Sequence, residues 1–193
     1  SGLFFNDSES SKWLSKGILI LDKELKEQIL EDGAHFELSP MYHSIMLDLV
    51  IDIYDLCISA NKLNYEHLFS KKDFFANIIL KMHSWLIHMI HPDGEIAYFN
   101  DSAIGVSNSP EKIFSRLNKL NLSANDCFKS NAIHLKDSGF YRIHDNDFTL
   151  FFDCGDIGPS YLPGHGHADS LSLELSYLDQ RIFVNLGTSE YKK

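Results

Sequence analysis

Residues 140–152 read FYRIHDNDFTLFF, and this stretch decides the fold class of the second half of the chain. Two apolar-rich runs, 140–143 and 148–152, flank the polar tetrapeptide 144–147, which is the pattern of a β-hairpin. Farther along, leucines at 171, 173 and 175 alternate with polar residues, and the run 181–184 follows a tight turn. A period of two from about Ala132 onward predicts an antiparallel sheet with one apolar face.

The residues before this sheet follow a helical period. Asp7 or Ser8 is suited to cap a first helix. Ser39-Pro40 is suited to begin a second, because proline at the first helical position gives up no needed N–H group. A third helix is expected from about 72 to 90, ended by the turn HPDG, and a short one from 109 to 120. The apolar positions of the first two helices are Trp13, Leu14, Ile18, Leu21, Met41, Ile45, Leu49, Ile53 and Leu56.

Helices first and strands afterwards predict an α+β protein with more than one domain. Long helices joined by loops indicate a helical bundle or a toroid. We expect residues 1–92 to be the C-terminal part of the helical domain, 93–131 a connecting region, and 132–193 the first strands of the sheet domain. The chain begins without methionine and stops just after a strand-like run, so we expect it to be a piece of a longer protein.

The composition excludes several classes of protein. Of the 193 residues, 44% are hydrophobic and 23% are charged, which excludes a disordered tail, a collagen-like fibre and a coiled coil. The net charge of −10 argues against nucleic acid as a partner, because such binding neutralises phosphates with basic side chains. No apolar run reaches the roughly 20 residues that a membrane-spanning helix needs.

Residues 155–169 form a loop rich in glycine and proline that contains His165 and His167. Loops of this kind display functional side chains on a rigid scaffold. In extended backbone the two histidines point the same way, about 6.6 Å apart along the strand. The pair suits two ligands of one metal, or one ligand beside a catalytic imidazole. Two exposed loop histidines, or a histidine that orders the turn through hydrogen bonds, are the interpretations that this spacing alone favours.

Residues 31–43 join two predicted helices and place acids, two histidines and Tyr42 at a helix start. A helix N-terminus favours negative charge, so it would assist an anionic tyrosine or bind a substrate carboxylate. A capped turn with solvated acids is the alternative. The pair Asn100-Asp101 is equally compatible with a site and with a turn.

Three segments, in this order along the chain, resemble stretches of the heparinase II/III-like polysaccharide lyases and their alginate-lyase relatives. Residues 32–43, DGAHFELSPMYH, resemble the family pattern DG-x-x-x-E-x-SP-x-YH. Residues 158–176, GPSYLPGHGHADSLSLELS, resemble its HxHAD-x-x-SFE-x-S stretch. Residues 184–191, VNLGTSEY, resemble its V-[DN]-SGT-x-x-Y strand end.

The resemblance implies an (α/α) toroid followed by an antiparallel β-sandwich, both incomplete here, with the active site in the cleft between them. The implied reaction is β-elimination on a polysaccharide that contains uronic acid. Tyr42 matches the family tyrosine that serves as acid and often as base, and His165 matches a histidine that serves as base or charge neutraliser. We place Glu37, His43 and Asn100 with them as substrate-binding residues.

The resemblance also implies a divalent metal, zinc or calcium, at His167. This site is weak, because Asn185 stands where some members have a metal-binding aspartate and an amide is a poor zinc ligand. The implied partner is an acidic polysaccharide or oligosaccharide. A chain at −10 favours a sparsely charged polymer over a heavily sulfated one. The implied location is periplasmic or extracellular.

Two other functions stay open at this point. A non-catalytic carbohydrate-binding or polysaccharide-assembly protein could keep the same fold. A toroid-type glycoside hydrolase would use two carboxylates, for which Asp32, Glu37 and Asp101 are candidates. Family segments that supply an upstream Asn/His and a downstream Arg/His have no counterpart among these residues, so we expect the 193-residue chain alone to be a poor catalyst.

Overall fold

The computed structural model describes residues 3, 5, 7–62, 66–123, 130–159 and 170–186. Within them, helices come first and strands afterwards, as the sequence predicts. The helices are α1 Ser8–Gln28, α2 Pro40–Lys62, α3 Glu66–Phe69, α4 Lys72–His88 and α5 Pro110–Lys119. The strands are β1 Ala132–Leu135, β2 Phe140–Asp145, β3 Phe148–Asp153, β4 Leu173–Tyr177 and β5 Gln180–Phe183.

Three predicted helix boundaries are confirmed: the starts of α1 and α2 and the end of α4. Asp7 caps α1, and its side chain accepts the backbone N–H of Ser10 at 2.7 Å in a capping box. α2 begins at Pro40. α4 ends before the turn at 91–94, and Ile90 and Ile96 pair across that turn. These boundaries depend on local chemistry, which is why the sequence alone locates them.

The buried faces of α1 and α2 differ from the predicted ones at three positions. α1 packs through Ile18 and Leu25, whereas Trp13 is half exposed. Trp13 is five residues before Ile18, which turns it about 140° away from the buried stripe. In α2, Leu49 and Leu56 are also half exposed. The residues of α2 that are buried in the main core instead are Leu47, Val50, Ile51, Tyr54, Cys57 and Ala60.

The five strands form one antiparallel sheet in the order β1-β2-β3-β4-β5. The predicted hairpin is confirmed as β2–β3, but its turn is tighter than the tetrapeptide suggests. Asp145 pairs with Phe148, which leaves a two-residue turn at Asn146 and Asp147. Asn146 has φ +50°, a left-handed conformation that such hairpin turns require.

A second core joins the helices to the sheet. Trp85 of α4 and Phe99 pack against Phe140 of β2, and Phe151 of β3 belongs to the same cluster. This single apolar cluster spans the helical half and the sheet half. The predicted domain divisions at residues 92 and 131 stay predictions. No helix in the described part of the chain combines the length and apolarity needed to cross a bilayer.

β4 turns its polar side toward the helices, contrary to the expectation that its leucines mark the buried face. Glu174 and Ser176 have no exposed surface, whereas Leu173 is 42% exposed. Leu173 pairs with Phe152, and Glu174 pairs with the buried Phe151. The register with β3 therefore decides which side of β4 faces inward. The alternation of polar and apolar residues along β4 does not by itself show which of the two sides is buried.

Candidate active site

The turn between α1 and α2 contains the first family-like motif. Ile29 and His35 pair across it in an antiparallel bridge. At its tip, Gly33 has φ +97°, and a Cβ there would lie 2.1 Å from the carbonyl oxygen of Lys81. Only glycine permits this close approach of the turn to α4, which explains the Asp-Gly pair.

Asp32 fastens the same turn to the sheet half. Its carboxylate accepts the N–H of Ser138 at 2.8 Å, the hydroxyl of Ser138 at 2.8 Å and the N–H of Asp137 at 3.0 Å. The hydroxyl of Ser138 also accepts the indole N–H of Trp85 at 3.0 Å. Asp32 is therefore engaged as a structural carboxylate, which argues against it as one of the two acids of a glycoside hydrolase.

His43 lies beneath the turn with no exposed surface. Its Nδ1 accepts the backbone N–H of His35 at 3.1 Å, and its Nε2 donates to the carbonyl of Met82 at 3.0 Å. Burial first, and then the neighbouring imidazole of His35, lower the pKa of His43 to about 3. His43 thus holds the turn as a neutral ring. The substrate contact predicted for it gains no support and stays a prediction.

Asn100 and Ser102 hold the N-terminus of α2 in place. The side-chain amide of Asn100 donates to the carbonyl of Leu38 at 2.9 Å. The hydroxyl of Ser102 accepts the N–H of Met41 at 3.1 Å and lies 3.1 Å from the hydroxyl of Ser39. Asn100 is 2% exposed. The structure therefore places it in the scaffold, and its predicted contact with substrate stays a prediction.

Tyr42 and Glu37 line one pocket beside this scaffold, together with His35. The pocket has a volume of about 200 Å³. Nδ1 of His35 lies 3.7 Å from Oε2 of Glu37, and their side chains are 5% and 15% exposed. Tyr42 is partly buried in the first turn of α2. The fold thus brings together two predicted site residues and adds a histidine to which the sequence assigned no role.

The pocket at Tyr42 continues along α2. A cavity of about 440 Å³ shares Ile45 and Leu49 with it. That cavity shares Ala103 and Ile104 with a third of about 280 Å³, which Tyr98, Ser102, Asn185 and Leu186 also line. We call the three adjoining cavities the groove. It runs from the motif turn to the segment after β5, so both halves of the chain contribute to it.

The charged lining of the groove is mainly acidic. Glu37, Asp48 and Glu95 contribute carboxylates, and Lys112 is the one lysine or arginine among the described lining residues. Asp48 accepts the side-chain amide of Asn108 at 2.6 Å and is also paired with the guanidinium of Arg116. Arg116 offsets the charge of Asp48, so the remaining excess of negative charge is small, and the hydrogen-bonding groups of the lining suit hydroxyl-rich ligands.

His165 and His167 lie outside the described residues, so their catalytic and metal-binding roles stay predictions. The side-chain amide of Asn185 donates to the hydroxyl of Ser172 at 3.2 Å. In the ranges that the structure describes, no group of three or more His, Cys, Asp or Glu side chains could hold a metal ion.

Sequence reasoning missed the buried pair of His91 and Glu174. Nε2 of His91 lies 2.6 Å from Oε2 of Glu174, and neither side chain has exposed surface. The two residues are 83 positions apart, so no local pattern links them. A glutamate flanked by leucines in a strand looks like a solvent-facing residue, and only the tertiary packing shows that it is not.

Two family models match the chain. The model described as "Heparinase II/III N-terminus" matches residues 2–127, and "Heparinase II/III-like, C-terminal" matches residues 129–193. The chain belongs to the heparinase II/III family.

Curated relatives agree with this family assignment. A heparin-sulfate lyase of Pedobacter heparinus is 34% identical over 96 residues, which is 50% of this chain and 14% of that protein. A heparin-sulfate lyase of Bacteroides stercoris is 32% identical over 85 residues, which is 40% of this chain and 13% of that protein. The matched segments thus span about one seventh of these relatives.

Solved structures show the same fold at lower identity. A heparan sulfate lyase HepC mutant from Pedobacter heparinus has a TM-score of 0.74 and 22% identity, covering 100% of this chain and 31% of that one. A crystal structure of heparinase III has a TM-score of 0.70 and 19% identity, covering 93% and 31%. The helical part followed by the five-stranded sheet is therefore the heparinase III fold, toroid and β-sandwich, in partial form.

Proposed function

We propose that the protein carrying this chain is a polysaccharide lyase that cleaves a uronic-acid-containing polysaccharide by β-elimination. The observation that carries the proposal is the position of Tyr42, in a pocket with Glu37 and His35 at one end of a groove built from both halves of the fold. The names of the curated relatives, heparin-sulfate lyases, support the same reaction class.

The chemistry requires three actions, and this chain supplies a candidate for each of them. A base removes the C5 proton beside the uronate carboxylate, and an acid protonates the departing glycosidic oxygen. Tyr42 is the proposed acid and His165 the proposed base or charge neutraliser, with Tyr42 able to serve in both roles. Glu37 and His35 would orient Tyr42 and the sugar in the pocket they share. The third action, neutralising the substrate carboxylate, is proposed for His165 or for residues of the full-length protein.

The charges that line the groove support a proposal for the substrate class. The described lining carries three carboxylates and one lysine, and Arg116 offsets Asp48, so the charges of Glu37 and Glu95 disfavour densely sulfated polymers. We therefore place the substrate among polymers with sparse uronate and little sulfate. The location proposed for the protein is periplasmic or extracellular, where such polymers are found.

The test uses the full-length protein and a panel of heparan sulfate, unsulfated heparosan, alginate and a capsular polysaccharide with a low content of uronate. Ultraviolet absorbance reports the unsaturated sugar that only elimination forms. Tyr42→Phe should lower the rate by about 10³-fold, the scale of general acid–base catalysis. Tyr54→Phe is the matched control, because Tyr54 lies on the same helix but is buried in the main core. It should retain activity.

Other outcomes would redirect the assignment. New reducing ends without absorbance would indicate hydrolysis. Tight sugar binding without any product would indicate the carbohydrate-binding alternative. Full activity in Tyr42→Phe would remove Tyr42 from the mechanism while leaving the lyase reaction in place.

A further inference from the structure

The polar side of β4 meets the helical half in a network of polar contacts that is buried at His91, Glu174 and Ser176. His91 contacts Glu174 through Nε2 at 2.6 Å and Ser176 through Nδ1 at 2.7 Å. Arg181 donates to Asp93 from Nε at 2.7 Å and from Nη2 at 3.1 Å, and its Nη1 lies 3.8 Å from Glu174. These five side chains join the turn after α4 to β4 and β5.

The order Ser176–His91–Glu174 is that of a hydrolytic triad, but burial excludes this use. Ser176, Glu174 and the side chain of His91 have no exposed surface, and the His91 ring packs against the ring of Phe151 at 4.4 Å. A nucleophile must be reached by its substrate, and this serine is not. The network therefore has no chemical role of its own. Its effect is to fix the positions of the residues that are hydrogen-bonded to it.

The second oxygen of Glu174 accepts hydrogen bonds from two residues that line the groove. Its Oε1 accepts the backbone N–H of Tyr98 at 2.7 Å and the backbone N–H of Asn185 at 3.2 Å. Tyr98 and Asn185 both line the 280 Å³ cavity at the β end of the groove. Tyr98 comes from the helical half and Asn185 from the segment after β5. One carboxylate oxygen thus connects two walls of the cavity.

We propose that Glu174 is a positioning residue that sets the width of the groove at its β end and thereby its affinity for the glycan. The identity of the ligand as a glycan rests on the proposed function. A buried carboxylate is costly unless its hydrogen bonds are made, and Glu174 makes them to His91 and to both walls. Moving this oxygen would break the hydrogen bonds to the N–H groups of Tyr98 and Asn185, and the two walls would no longer be linked.

Three substitutions separate geometry from charge. Glu174→Gln keeps an oxygen at full length that accepts both N–H groups. Glu174→Asp keeps the charge but withdraws it by about 1.5 Å, the length of one C–C bond. Glu174→Ala removes the link. Leu135→Ala is the control for lost stability, because Leu135 is buried in the second core and lies outside the groove.

The first readout is hydrogen exchange of the Tyr98 and Asn185 amides in the full-length protein. We expect both to exchange at least about tenfold faster in Glu174→Asp and Glu174→Ala, and near the wild-type rate in Glu174→Gln. Unchanged exchange in Glu174→Ala would overturn the proposal. The proposal would also be overturned if Leu135→Ala speeded exchange at these two amides more than at the amides of the five strands.

The second readout is kinetic, on the polymer that the wild type cleaves best. Glu174→Asp should raise KM about tenfold while kcat stays within about threefold, and Glu174→Gln should match the wild type. An equal KM rise in Leu135→Ala, or Glu174→Gln as impaired as Glu174→Ala, would overturn the positioning role. If the wild type binds a polymer without forming unsaturated product, the lyase proposal fails and Kd replaces KM as the readout. Binding to none of the panel would reject both proposals.

Discussion

Gly33 belongs to the first family-like motif, and its role is structural. Gly33→Ala should lower the free energy of unfolding by about 3 kcal/mol or more, since the added Cβ meets the Lys81 carbonyl at 2.1 Å in a left-handed conformation. Gly94→Ala is the matched control, with φ +89° and no atom within 4 Å of its Cβ. It should cost about 1 kcal/mol. Equal losses in denaturant titrations would contradict the clash.

His43 should make stability fall in acid. Its folded pKa of about 3 lies below the usual 6.5, so the unfolded state binds the extra proton as the pH drops below 6.5. The stabilisation is complete above pH 6.5 and is lost toward pH 3. Between pH 6.5 and 5 the loss should be about 2 kcal/mol. Unfolding titrations of the wild type and of His43→Gln check this, and an identical pH slope in both proteins would refute it.

At the scale of elements, the β2–β3 hairpin depends on its two-residue turn. Asn146 has φ +50°, which asparagine and glycine tolerate and β-branched residues do not. Asn146→Val should lower the free energy of unfolding by about 1 kcal/mol, and Asn146→Gly should leave it equal or higher. The denaturant midpoints of the two variants decide the matter. A midpoint for Asn146→Val at or above that of Asn146→Gly would contradict the turn geometry.

Elements also show where sequence patterns suffice. The capping box at Asp7, the Ser39-Pro40 start and the alternation in 140–152 are local, and each produces the expected element. Local sequence does not decide which side of β4 is buried. Its leucines alternate correctly for a strand, but the buried side is the one that carries Glu174, because the register with β3 sets it.

At the scale of the whole molecule, Asp32 and Ser138 couple the helical half to the sheet half. The carboxylate accepts the backbone N–H and the hydroxyl of Ser138, both at 2.8 Å. A double-mutant cycle of Asp32→Ala and Ser138→Ala should give a coupling energy of about 1–3 kcal/mol. The exposed pair of Glu31 and Lys81 is the control, and its coupling should be clearly smaller. Equal coupling energies in the two pairs would contradict the prediction that the Asp32–Ser138 contact stabilises the junction of the two halves.

The sequence by itself determined the four longer helices, the antiparallel strands and their order, because capping, turn and period signals act within a few residues. The family and the candidacy of Tyr42 and Glu37 came from the resemblance of three motifs. Only the tertiary structure showed that Asp32, His43 and Asn100 belong to the scaffold while His35 joins the pocket. It alone joined His91 to Glu174 across 83 positions. The physical reason is that burial and hydrogen-bond partners arise from packing between distant segments, and no local pattern encodes which segments meet.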